Sequence, residues 1–206
     1  MNKEYNLELE SFSELSIKNK YAFNKSDKVI FMSGDVCYDM LDDFIKNFND
    51  PILIFRIRFN ENQIIDEESI NIILMFYYRI VSFSNNNNKS AELIIYGNIS
   101  ILSLIFMCSF NKRYIYENYN IIYDTTNLSE KIKNKINNIL SISTKLGIEY
   151  WNNINKITFT SSEALEIGIS TYNISCTLKN KIFENDEKLT KKYIEKNNKD
   201  TILKKE

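Results

Sequence analysis

The chain has 206 residues, 44% of them hydrophobic, and its 26 basic and 27 acidic side chains leave a net charge of −1. This length fits one ordinary domain with a sizeable core, and near-neutrality excludes the strongly basic face of a nucleic-acid binder. The N-terminal MNKEYNLELESFSEL carries acids and no apolar run, unlike a secretory signal, and no stretch approaches the roughly 20 apolar residues of a membrane span, so a cytoplasmic protein is expected.

Residues 1–27 read as an N-terminal segment. KVIFMS at 28–33 reads as a buried strand closed by Gly34. A helix follows from about Asp35, with Cys37, Leu41, Phe44, Ile45 and Phe48 on one face. Pro51 ends that unit, and ILIFRIRF at 52–59 begins a second strand. Asp66 can cap the next helix, with Glu67 and Glu68 in its first turn and Ile70, Ile73, Leu74 and Tyr77 inward. Asn85 to Asn88 read as a solvated turn.

ELIIY at 92–96 is a third strand ending at Gly97, and residues 100–109 read as a helix that is apolar nearly all round. Residues 113–123 alternate between strand and turn. A long amphipathic helix is predicted from about Asn127 to Leu146, with Ile132, Ile136, Ile139 and Leu140 inward. Thr160 and Glu163 form a capping box, Gly168 stops that short helix, and 169–176 read as a last strand. From Lys179 to Glu206 the chain is charged and reads as a tail. Strands alternating with helices define one α/β domain over residues 28–178.

There is no histidine, and Cys37, Cys108 and Cys176 are scattered, so the cysteines read as reduced thiols and neither a metal site nor a cofactor is expected.

Three strings carry a resemblance: KVIFMSGDV at 28–36, YGNISILSLIFM followed by NKRYIYENYNIIYD at 96–124, and FTSSEALEIGIS at 159–170. In order and spacing they resemble the proteolytic subunit of the Clp protease, the ClpP family. The resemblance implies the ClpP/crotonase-like fold: repeated ββα units wound into a spiral, with a helical handle. It also implies rings, with an ATP-driven AAA+ unfoldase as partner.

By the same resemblance Ser100 falls on the nucleophile position; alignment from Gly97 puts Ile101 there instead. The family's histidine falls on Tyr123, a poor general base at neutral pH. The orienting aspartate has no acidic counterpart in residues 150–162, where Asn153 or Asn155 is nearest. The loop that supplies oxyanion donors reads RFNENQIID at 58–66, without glycine or proline, and Asn60 or Asn62 would have to hold its turn. Only 35 residues separate Tyr123 from Phe159, so the handle is shortened.

The expectation is a non-catalytic ClpP-like subunit, structural or regulatory, in a homo-oligomer or a mixed ring with an active ClpP. Apolar residues on the two early helices (Phe44, Ile45, Phe48; Met75, Phe76, Tyr77, Tyr78) are expected to meet neighbouring subunits. The alternatives are a hydrolase of altered chemistry using Ser100, an acyl-CoA-binding crotonase-like protein, and a scaffold or assembly factor of a mobile element. A serine-lysine pair lacks a candidate, because Lys112 reads as solvent-facing.

Overall fold

The computed structural model describes residues 21–26, 29–48, 54–87 and 91–174. Its main sheet has six strands. The chain runs β1 (Tyr21–Ser26), β2 (Val29–Gly34), α1 (Tyr38–Asn47), β3 (Ile54–Phe59), α2 (Glu67–Asn87), β4 (Glu92–Ile95) and α3 (Ile101–Met107). It continues with β5 (Lys112–Tyr116), β6 (Ile121–Asp124), α4 (Glu130–Ser143), α5 (Ile148–Asn152), β7 (Lys156–Phe159), α6 (Ser161–Glu166) and β8 (Tyr172–Ile174). The sheet order is β1-β2-β3-β4-β5-β8, parallel except for β1, which runs antiparallel to β2; β6 and β7 form a separate antiparallel pair.

Among the described residues the sheet begins at Tyr21, before the expected domain start at residue 28. An edge strand is paired on one side only, and β1 carries too short an apolar run to stand out in sequence. Tyr21 is nevertheless buried, and its hydroxyl donates to Asp43 at 2.7 Å.

Strand alternation sends Ile30, Met32, Phe55, Ile57, Leu93, Ile95 and Ile115 to one face, all essentially inaccessible. The helices cover that face. α1 contributes Met40, Leu41 and Phe44, with Phe48 at its C-terminal cap, while Ile45 on the predicted stripe is 39% exposed. All seven residues of α3 are buried, so it is a central helix and needs no polar side. Phenylalanines tie these layers together: Phe44 meets Phe48 and Phe76 at 4.6 and 4.9 Å, and Phe55 meets Phe110 at 4.9 Å.

α2 runs on through Asn87, where a turn was expected. Its apolar face, with Ile80 buried and Phe83 packed on the core, carries it past the modest helix penalty of asparagine. The helix expected over 127–146 is shorter, Glu130–Ser143, and a short helix that was not expected, α5, follows it. α4 ends at Thr144 in extended backbone, and α5 starts after Gly147. These helices occupy the handle segment and pack on the body, with Ile132, Ile136, Leu140 and Trp151 in the main core. Pro51 and the charged tail lie outside the described residues. Among the described residues no helix is long and apolar enough to cross a membrane.

Three carboxylates, two at helix starts and one at the end of β6, link fold to pH. The Ser69 N–H donates to Asp66 at 2.8 Å and holds that carboxyl below its usual range. The N–H and hydroxyl of Thr160 do the same for Glu163 in the capping box. Partial burial raises Asp124, but bonds from Lys156 and Thr126 outweigh it and the net shift is downward. A carboxyl depressed by folding adds stability above its unfolded pKa, near 4, and loses it as pH falls through the folded value. With no histidine to titrate, the thermal midpoint is expected to stay nearly level from about pH 6 to 8 and to fall below about pH 4. A midpoint that changes steeply near pH 6.5 in a melting series would contradict this.

Candidate functional site

Ser100 stands where the chain leaves β4 and enters α3. Gly97 makes the turn, with φ of +87°, a region L side chains rarely adopt. Residues 98–100 then run alongside β6: Ile99 N–H donates to Asn120 O at 2.9 Å, and Ile122 N–H donates to Ile99 O at 2.7 Å. Ile99 thus pairs in parallel with Ile121, and both side chains are buried. By the two-residue period, Ser100 shares the opposite face with Ile122 and Asp124.

That face lines a cavity of about 340 Å³, bounded also by Asn98, Asn127, Leu128 and the 61–65 loop. Ser100 is at the N-cap position of α3, yet its side chain makes no capping bond. It is only 8% exposed, and its Oγ is buried without a hydrogen-bond partner. A buried hydroxyl without a partner is unfavourable, so Ser100→Ala is expected to leave stability unchanged or raise it by up to about 1 kcal/mol. A loss above that in urea unfolding would reveal a bond this geometry does not contain.

Tyr123 is on the other face. Its ring is fully buried, 5.3 Å from Trp151, and its hydroxyl donates to Asn137 Oδ1 at 2.6 Å. Asn137 is fully buried too, and its Nδ2 donates to Trp151 O at 3.2 Å and Asn152 Oδ1 at 3.0 Å. Burial pushes the Tyr123 phenol up, against those bonds. Tyr123 is a core residue here and does not reach Ser100. Asn153 is exposed at the end of α5, and Asn155, also exposed, accepts from Lys133 Nζ through its side chain and from Thr125 N–H through its carbonyl. The structure therefore does not bring Ser100, Tyr123 and Asn153 together.

Glu61 and Asp124 are the carboxylates lining the cavity, and sequence reasoning missed both. Asp124 is engaged by Lys156 at 2.6 Å and by Thr126 at 2.7 Å. The wall at 60–65 is held by side-chain amides. Asn60 Nδ2 donates to Asp35 at 2.6 Å and Asn60 Oδ1 accepts Asn62 N–H at 3.0 Å, which makes the turn without glycine. Gln63 accepts Val36 N–H at 2.7 Å and donates to Val36 O at 2.9 Å. One buried lysine also escaped notice: Lys133 on α4, which donates to Asn155 and lies 3.9 Å from Glu130. It does not line the Ser100 cavity. Lys112 pairs with Glu92 at 2.6 Å on the surface.

No protein-family model and no curated protein sequence matches the chain. Solved structures do. A peptidase from Plasmodium falciparum aligns with a TM-score of 0.57 at 16% identity, covering 71% of this chain and 95% of that one. The probable enoyl-CoA hydratase EchA3 from Mycobacterium tuberculosis H37Rv gives 0.56 at 12% identity, covering 82% and 81%. An enoyl-CoA hydratase from Bacillus halodurans gives 0.56 at 12%, covering 84% and 81%. At these identities the likeness defines the fold alone.

The fold is the ClpP/crotonase fold. Its ββα units are legible in the chain. β5, β6 and α4 make one in full. β4, the Ile99 bridge and α3 make another whose second strand has shrunk to a single paired residue.

Proposed function

We propose that this chain is a non-catalytic, ClpP-like subunit with a structural or regulatory role in a ring, alone or mixed with an active ClpP. One observation carries the reading: the residue sharing the face of Ser100 on the neighbouring strand is Ile122, in a chain with no histidine. A serine nucleophile needs a base to accept its proton and a third group to orient that base. Ile122 cannot accept a proton, and Tyr123 is committed to Asn137.

The surface supports assembly in part. Of the apolar residues expected to meet neighbours, Phe44, Phe48 and Phe76 are core, whereas Ile45, Met75 and Tyr78 are 39, 49 and 58% exposed. The sheet face turned away from the helices offers a partner a tyrosine row. Tyr114 and Tyr172 are register partners, stacked at 5.0 Å, with Tyr172 half exposed. An AAA+ unfoldase is the partner we assign to it.

The test is activity and assembly measured together. Purified protein should cleave neither casein nor short fluorogenic peptides, with or without an unfoldase. Native mass spectrometry should find a ring, or mixed rings when an active ClpP is added. Turnover abolished by Ser100→Ala refutes the non-catalytic reading, and a chain that stays monomeric in both settings refutes the ring.

A second reading rests on Glu61 and Asp124, two carboxylates beside a buried hydroxyl in one cavity. That set suits acid–base chemistry on an acyl thioester. Saturable binding of an acyl-CoA, lost in Glu61→Gln, would favour it over the subunit reading.

A further inference from the structure

A second cavity, of about 570 Å³, lies away from Ser100, between the ends of α4 and α6. It is lined by Arg113, Ser143, Lys145, Gly168 and Thr171, with Ile142 and Leu165. Two of its lining residues are cationic and none is acidic.

Arg113 is only 7% exposed and has no carboxylate partner among the described residues. Its Nη2 donates to Ser143 O at 3.0 Å and to Gly168 O at 2.8 Å. Its Nε is sealed without a partner. Among the described residues Nη1 has no hydrogen-bond partner, and Arg113 lines the cavity. The two carbonyls at the helix ends supply partial negative charge, but no counter-ion. A buried charge is costly unless paired, and burial pushes the guanidinium pKa down.

The hydroxyl groups of the wall are spent on the protein. The Thr171 hydroxyl donates to Arg113 O and accepts Arg113 N–H, and the Thr144 hydroxyl donates to Leu140 O. Lys145 Nζ donates to Glu166 O at the exposed edge. The Ser143 hydroxyl donates to Cys108 O at 3.4 Å, and Ile142 and Leu165 are apolar and 81 and 40% exposed.

We propose that this cavity binds a carboxylate carrying a short apolar group, with the acid on Arg113 Nη1 and the apolar group between Ile142 and Leu165. The ligand is either a free aliphatic acid or the C-terminal carboxylate of a peptide ending in an apolar residue. A guanidinium suits a carboxylate, and the apolar side chains select against a fully hydrated anion such as phosphate.

The test is a calorimetric titration of the full chain at fixed ionic strength. The probes are butyrate, inorganic phosphate, and a pentapeptide ending in leucine as free acid and as amide. Butyrate or the free-acid peptide is expected to saturate, and the amide is not. Tighter binding of the peptide than of butyrate identifies the source as a chain terminus; the reverse identifies a free acid.

Arg113→Gln removes the cation, but Arg113 also ties α4 to the turn at Gly168, so this variant can unfold. Ile142→Glu sits at a highly exposed position and keeps the fold. It brings a competing carboxylate to the cavity and is expected to weaken binding about tenfold. Butyrate and peptide no better than chloride, phosphate tighter than either, amide equal to acid, or Ile142→Glu without effect would each overturn the proposal.

Discussion

Replacing Trp151 by alanine is expected to cost about 3–5 kcal/mol, the range for removing a large aromatic side chain from a packed core. That is a large share of the roughly 5–15 kcal/mol by which domains are stable. Trp151 is fully buried and sits between Tyr123, Tyr150 and Phe159 at centroid distances of 5.3, 5.4 and 6.1 Å. Its indole N–H donates to Thr144 Oγ1 at 3.3 Å, so the substitution also strips a bond from the residue that ends α4. Trp151→Phe keeps most of the ring area but loses that bond, and is expected to lie between. In urea unfolding the midpoint should drop while the slope stays constant. A loss below about 1 kcal/mol for Trp151→Ala would mean that α4 and α5 project from the body instead of packing on it.

Local chemistry made much of this fold legible. Asp66 before two glutamates, Thr160 three residues before Glu163, and Gly168 at positive φ are read from neighbours in sequence, and each holds in the structure. The parallel strands were legible as apolar runs because their inner face is covered by helices. β7 was not. KITF carries lysine and threonine on a two-stranded ribbon with three of its four residues at least partly exposed, so it has little hydrophobic signature. α5 was not legible either: its five residues after Gly147 are too few to show a helical period.

The site was less legible, for a geometric reason. Ser100 could be placed by motif, but its neighbours depend on how residues 98–100 register against β6. A one-residue shift swaps every side chain to the other face, and that register is fixed by the bonds of Ile99 to Asn120 and Ile122. Glu61 and Asp124 are unremarkable in sequence and meet only across loops. Asn137 and Arg113 were invisible in the same way: polar residues whose burial is decided by distant partners.

Histidine scanning across β6 is the sharpest test of that register. Tyr123→His is expected to destabilise by about 3 kcal/mol: the new ring is smaller, leaving a gap beside Trp151, and it strands the Asn137 carbonyl in the core. Ile122→His should cost less than about 1 kcal/mol, because Ile122 is 37% exposed and faces the cavity. The two substitutions also separate on reactivity. Tyr123→His should leave Ser100 as unreactive towards a fluorophosphonate as in the unaltered chain. Ile122→His brings an imidazole to the face of the serine and is the variant expected to raise labelling. Full turnover is not expected from either, since the base would still lack an orienting carboxylate: Asp124, two residues along the strand, is held by Lys156 and Thr126. Equal melting of the two variants, or greater damage from Ile122→His, would show that β6 presents the opposite face to Ser100. Tyr123 would then be restored as the residue at the site.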